Sequence, residues 1–226
     1  MGDDERGAVF YAMKTNYQIA LDRELQKIAD SGRRPRLLLH SCCAPCSSYV
    51  QEYLNRAFDI AVFYYNPNIA PAEEFEHRVA EQIRLVEALP HEGRIEVIRG
   101  EYDPQVFYDA VRGHEDDPEG GARCERCFRL RLSETAKLAA ARGDDYFTTT
   151  LTISPLKDAQ LINAIGMELS EDAGVPWLPC DFKKKNGYKR SCELSELYGL
   201  YRQDYCGCVF SRRRDYMGHQ KNKDDR

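Results

Sequence analysis

The 226-residue sequence has no apolar run approaching the roughly 18 to 20 residues that a bilayer-spanning helix needs, which excludes a helical membrane protein. Its opening, MGDDERGAVFYAMKTNYQ, is acidic and lacks the apolar core of a secretory signal, which argues against export and for a cytoplasmic chain with no membrane partner. There is no internal repeat and no low-complexity segment, so repeat arrays are excluded. Positive charge is in the minority, with 32 Lys+Arg against 37 Asp+Glu and a net charge of −5, which on composition alone disfavours a nucleic-acid binder. What is present is the composition of an ordinary globular chain, 42% hydrophobic and 31% charged. The length allows one sizeable α/β domain or two small ones and favours one core with attachments. Nine cysteines, an odd number and clustered, do not suit a disulfide scaffold; in a reducing compartment they read as metal ligands or redox groups.

The charge is unevenly spread. Residues 183–226 hold 12 Lys+Arg against 6 Asp+Glu, so the rest of the chain carries the acidic excess. A basic segment can contact phosphates while the whole stays acidic, because attraction falls off over a Debye length of roughly 8 to 10 Å. A merely solvated tail is the alternative.

Strand and helix patterns alternate along the chain. Residues 16–30 place Ile19, Leu21, Leu25 and Ile28 at helical spacing before Ser31-Gly32. RLLLHS (36–41) reads as a buried parallel strand, followed by a cysteine loop and a helix from Pro45 to about Arg56. FDIAVFYYNPN (58–68) is a second β-rich run. Residues 70–89 form a long helix with Phe75, Val79, Ile83 and Val86 on one side, and RIEVIR (94–99) a third strand. After a Gly/Asp/Glu-rich loop at 113–123 come a helix at 124–143, a strand at 145–151, a turn and a helix from Lys157 to Ala173. This order predicts an α/β fold: an open, mainly parallel sheet with helices on both faces. Residues 1–35 would be an N-terminal helical extension. From Trp177 the pattern becomes irregular, basic and rich in Tyr and Cys, predicting a C-terminal lobe over 177–226 against the sheet.

Three cysteine groups carry the chemistry. HSCCAPC (40–46) stands where the first strand ends, the edge at which open α/β sheets usually bind ligands. RCERC (123–127) stands at a helix start, where unpaired N–H groups favour thiolates. Four sulfurs from Cys42, Cys43, Cys124 and Cys127 match a tetrahedral zinc or a four-iron cluster, and the adjacent Cys-Cys pair tilts toward iron–sulfur. Cys46 is a fifth sulfur, either ligand to a second metal or a packed thiol. DYCGC (204–208) can close a small, strained, easily reduced disulfide or supply a third ligand pair. Cys180 and Cys192, isolated in sequence, read as structural. His40 reads as bonded to backbone rather than to the metal's surroundings; capping accounts for Asp103, Asp158 and Asp181 unless a substrate lies beside them. Tyr188, Tyr198, Tyr201 and Tyr205 interleave with Lys183, Lys184, Lys185, Lys189, Arg190 and Arg202, a mixture that suits stacking an unpaired base and holding its backbone.

The strings LLLHSCCAPCS, GARCERCFRLRL, FTTTLTISPLKDAQLI and DFKKKNGYKRSCELSELYGLYRQDYCGC resemble the QueH family of epoxyqueuosine reductases over roughly residues 36–211. The resemblance implies an enzyme that reduces the epoxide of epoxyqueuosine to queuosine at the wobble position of tRNA, drawing on a separate electron donor. It implies an adenine-nucleotide-hydrolase-like, Rossmann-like fold whose cysteine loop replaces a phosphate loop, so ATP is not expected. It also implies that Cys42, Cys43, Cys124 and Cys127 hold a [4Fe–4S] cluster, that Cys206 and Cys208 form a redox-active disulfide, and that a further iron lies beside the cluster, with Cys46 the position to examine. Lys183, Lys184, Lys185, Tyr188, Lys189, Arg190 and Arg202 are the expected tRNA contacts. The alternative from another class is a zinc-stabilised nucleic-acid-binding module without catalysis.

Overall fold

Leu37, Leu38 and Leu39 are completely buried, as befits the middle of a parallel sheet covered on both faces. The computed structural model describes residues 14–211. Strand β1 (Arg36–His40) lies between β2 (Asp59–Tyr64) and β4 (Tyr146–Thr149), with β3 (Ile95–Arg99) outside β2, so the order is β3-β2-β1-β4 and every pairing is parallel. Leu38 sits opposite Ala61 on one side and Phe147 on the other. The predicted open parallel α/β sheet is therefore what forms.

The chain steps outward from β1 to β3 and then returns to the far side of β1. This reversal makes the β1–β4 boundary the topological switch point, where a crevice opens beyond the strand ends. Helices α2 (Ala44–Leu54) and α3 (Ala72–Ala88) connect β1 to β2 and β2 to β3. The return passes through α4 (Pro104–Ala110) and α5 (Ala122–Arg142), and α5 crosses β1 and β4. With right-handed crossovers, α2 and α3 cover one face and α5 the other. Helix α6 (Ala159–Ala173) lies against α5, and α7 (Gly187–Leu197) against α2. Among the described residues no helix is long and apolar enough to cross a membrane.

Several sequence expectations shift. The first helix, α1 (Tyr17–Ser31), is capped by Asn16, whose side chain accepts from the backbone N–H groups of Gln18 and Ile19. It buries Tyr17, Gln18, Leu21 and Ile28 and leaves Ile19 47% exposed. In α3 the buried stripe is Phe75, Val79, Gln82 and Val86, while Ile83 faces solvent. Strand β2 ends at Tyr64, and β4 ends at Thr149, where residues Thr150–Ile153 turn into a 3-10 helix instead of extending the strand. Helix α4, with Asp103 as its cap, was unread in the sequence.

The stretch after Trp177 is more regular than its composition suggests. Phe147 N–H donates to Pro176 O and Leu178 N–H to Phe147 O, adding a parallel bridge outside β4. The chain then makes a tight turn in which Asn186 adopts φ 62°. Gly187 opens α7 where a Cβ would stand 1.9 Å from Phe182 O, so only glycine fits. Lys189 and Arg190 thus belong to a helix rather than to an irregular lobe.

Candidate metal centre

The cysteine loop is fixed from both neighbouring strand ends. Ser41 N–H donates to Phe63 O at 2.9 Å, Asn66 Nδ2 donates to Ser41 O at 2.8 Å, and Cys42 N–H donates to Thr150 Oγ1 at 3.3 Å. Beneath it Ser41 Oγ donates to buried Gln82 at 2.7 Å and lies 2.5 Å from Ser47 Oγ, which accounts for the polar residue on the inner face of α3. Cys43 is the extended N-cap of α2, and Pro45 occupies the first turn, where no N–H partner is needed.

This geometry draws three sulfurs together at the start of α2. Those of Cys42, Cys43 and Cys46 all lie within 4.8 Å of one another, and Cys42 Sγ is 3.9 Å from Cys43 Sγ. Hydrogen bonds from Cys43 and Cys46, with smaller help from Lys157 and Thr150, hold the Cys42 thiol well below the usual range despite burial. The same bonds to Cys42, together with burial, push Cys43 up to about 12 and raise Cys46. Metal binding favours thiolate, so a soft cation that displaces these protons would relieve the crowding. The three cysteines can hold a metal ion.

The other two groups face the same space. Cys124 and Cys127 lie in the first turns of α5, as the sequence suggests; Gly120 N–H reaches Cys124 Sγ at 3.3 Å, and burial raises Cys127. Cys127 and Cys208 share an apolar cluster with Phe107 and Val111, against which Cys206 and Phe210 lie. Gly207, at φ 101°, accepts from Ala70 N–H at 3.0 Å and so anchors the Cys-Gly-Cys segment over the crevice. Cys206 and Cys208 are free thiols in this structure. A hydrogen bond from Cys208, aided by Ser211 at 3.2 Å, draws Cys206 well below the usual thiol range, and the same bond raises Cys208.

All seven of these cysteines line one cavity of about 1690 Å³. The tightest sulfur group is 42, 43 and 46, so Cys46 stands with the adjacent pair and not apart from it. Cys180 lies elsewhere, wholly buried, where Thr148 and Thr152 hydroxyls donate to its sulfur and burial lifts it to about 11. That is a packed structural thiol. His40 is also internal: Nε2–H donates to Tyr65 O at 3.1 Å, leaving Nδ1 to accept from Thr149 Oγ1 at 2.8 Å. Burial pushes it down to about 3, so it is a neutral brace between β1 and β4. Asp103 and Asp158 cap α4 and α6; Asp181 instead pairs with Lys183.

The basic residues divide into two sets. Lys183 pairs with Asp181 at 2.6 Å, Lys185 with Asp22 at 2.7 Å and Arg190 with Glu52 at 2.6 Å. Lys184 and Lys189 are exposed and form no ion pair among the described residues. Tyr188 and Arg202 line the cavity, and Arg202 donates to Ser195 Oγ at 3.2 Å.

Sequence reasoning missed polar residues of the cavity wall, among them Arg123, Arg131, Lys157 and Gln203. Gln203 Oε1, like Asn68 Oδ1, is buried without a hydrogen-bond partner. Convergent soft sulfur donors beside buried cations suit an anionic, sulfur-held occupant, so an iron–sulfur group fits the residues present, while the orphaned acceptors call for a hydrogen-bond donor.

The family model described as epoxyqueuosine reductase QueH matches residues 37–214. The chain belongs to the QueH family. An epoxyqueuosine reductase QueH of Staphylococcus epidermidis is 42% identical over 229 residues, covering 97% of this chain and 96% of that protein. QueH of Streptococcus pyogenes is 42% identical over 205 residues, 88% of this chain and 80% of the relative. QueH of Thermotoga maritima is 39% identical over 181 residues, 77% of this chain and 89% of the relative. The QueH match begins at Leu37 in β1, spans the sheet and takes in all three cysteine groups.

Proposed function

We propose that this chain is an oxidoreductase that converts the epoxide of epoxyqueuosine in tRNA to the alkene of queuosine. The observation that carries this reading is the convergence of seven cysteines on one cavity at the switch point of a QueH-family sheet. Cys42, Cys43, Cys124 and Cys127 would hold a [4Fe–4S] cluster, with Cys46 beside them available to a further iron. Such a cluster, when bound, supplies electrons singly.

The reaction breaks two C–O bonds, forms a C=C bond and releases the oxygen as water, consuming two electrons and two protons. Oxidising the Cys206 and Cys208 dithiol to a disulfide yields two electrons and two protons, which balances one epoxide. A separate electron donor must then restore the dithiol. The low-lying Cys206 thiol is the one primed to attack or be attacked in that exchange. The wobble base of a tRNA sits in a single-stranded loop, so the exposed Tyr188 and Tyr201 at the cavity suit stacking, and Lys184, Lys189 and Arg202 suit phosphate contact.

Iron, zinc and acid-labile sulfide per chain, measured on protein purified without oxygen, test the cofactor. Iron with sulfide in cluster proportion is expected. Zinc without sulfide, persisting after attempted reconstitution, would replace this reading with a zinc-stabilised binding module.

A further inference from the structure

The buried guanidinium groups in the cavity wall donate to neutral acceptors. Arg131 is 4% exposed, and its guanidinium donates only to neutral groups, Cys127 O at 3.2 Å and Asn66 Oδ1 at 3.3 Å. Arg123, 2% exposed, donates to the carbonyls of Glu115 and Asp117 and lies 5.4 Å over the Phe210 ring. Lys157, half-buried between the 3-10 helix and α6, lines the same cavity and forms no ion pair among the described residues. Its sequence neighbour Asp158 is committed to capping α6 through Gln160 and Leu161 N–H.

A buried cation without a counter-ion is costly unless its site is completed by something negative. Lys157 follows the 3-10 helix whose Thr150 Oγ1 lies 3.4 Å from Cys42 Sγ, and it lines the same cavity as the sulfurs of Cys42, Cys46 and Cys206. Lys157 sits on a loop rather than in the core, so it can be changed with less disturbance to the fold than Arg123 or Arg131.

We propose that Lys157 is the counter-charge of the sulfur centre: a positioning residue that stabilises the more negative, reduced state of the group held by the cysteines and so raises its reduction potential. The inference rests on the iron–sulfur reading above. It assigns no proton transfer to Lys157 and needs no direct bond to metal.

The test compares anaerobically reconstituted wild type, Lys157→Gln and Lys157→Arg by iron and sulfide content and by a redox titration followed through visible absorption and electron paramagnetic resonance. Lys157→Gln is expected to shift the oxidised-to-reduced ratio at fixed poise toward the oxidised form by about tenfold, 59 mV for a one-electron couple, while Lys157→Arg stays near wild type. Loss of iron in Lys157→Gln with retention in Lys157→Arg also supports the proposal, because charge alone then decides occupancy. An unchanged potential in a fully loaded Lys157→Gln overturns it, as does equal loss of iron from both variants. Wild type that takes up no iron and sulfide overturns the cofactor reading itself, and the inference with it.

Discussion

Gly207, between Cys206 and Cys208, should be intolerant of any side chain, and Gly207→Ala measures how firmly the dithiol segment is held. The residue has φ 101°, outside what L side chains readily adopt, and an added Cβ would stand 2.7 Å from Ile69 Cγ1 and 3.2 Å from Arg78 Nη1. Neither neighbour can retreat. Ile69 is wholly buried, and Arg78, 1% exposed, is tied to Glu74 at 2.7 Å and lies 5.2 Å over the Tyr205 ring. Backbone strain of about 1–2 kcal/mol and overpacking of about 1–3 kcal/mol add to roughly 2–5 kcal/mol, a large part of a typical domain's stability. The chain can relieve this by lifting the segment and breaking the Ala70 N–H to Gly207 O bond. Urea unfolding of Gly207→Ala beside Gly199→Ala, a left-handed glycine with nothing within 4 Å, separates contact from strain. Gly207→Ala should cost about 1–3 kcal/mol more than the control, and alkylation of Cys206 and Cys208 should accelerate. Equal destabilisation of the two variants, with alkylation unchanged, would refute the argument.

His40 gives the protein an acid limit: its folded-state pKa, pushed to about 3 by burial, lies below the ordinary 6.5, so between these values the unfolded chain binds a proton that the folded one refuses. This contribution to stability is complete above 6.5 and is lost at up to about 1.4 kcal/mol per pH unit as pH falls toward 3; His40→Asn should flatten the slope of unfolding free energy over that window. Gly166→Ala should destabilise by about 1–3 kcal/mol in thermal or urea unfolding, since its Cβ would stand 2.3 Å from the buried Trp177 indole. For tRNA binding, Lys184→Ala and Lys189→Ala should each reduce the slope of log affinity against log salt by roughly 0.7–0.9, whereas Lys183→Ala and Lys185→Ala should change it less because those ammonium groups already face Asp181 and Asp22. Filter binding across a salt series checks this, and equal slopes in all four variants would count against the division.

The parts of the fold that are local in origin were legible in the sequence. The Leu37–Leu39 run declares a buried strand, and Gly32, Gly143 and Gly174 stop three helices in left-handed C-caps because glycine carries no Cβ penalty there. The cysteine loop at a strand end and the Cys124/Cys127 pair at a helix start follow from the same logic. What could not be read depends on partners distant in sequence. Gln18 and Gln82 displace Ile19 and Ile83 from the buried faces of α1 and α3 because polar partners wait there, Tyr53 for the one and Ser41 for the other. Lys185 looks free in a basic run, yet it meets Asp22, 163 residues away. Helix α7 escaped notice because its start is set by the left-handed Asn186 and the glycine after it, not by an apolar stripe. The chemistry of Arg131 and Lys157 becomes visible only when α5 and the β4 end close around the sulfurs.

The central claim is tested most directly by incubating anaerobically reconstituted protein and a chemical reductant with tRNA carrying epoxyqueuosine, then digesting the tRNA and resolving its nucleosides by mass spectrometry. The account predicts conversion of epoxyqueuosine to queuosine, with loss of one oxygen atom, that depends on the loaded iron–sulfur centre and disappears in Cys42→Ser. Unchanged epoxyqueuosine after incubation with fully loaded protein, or equal conversion by Cys42→Ser, would contradict it.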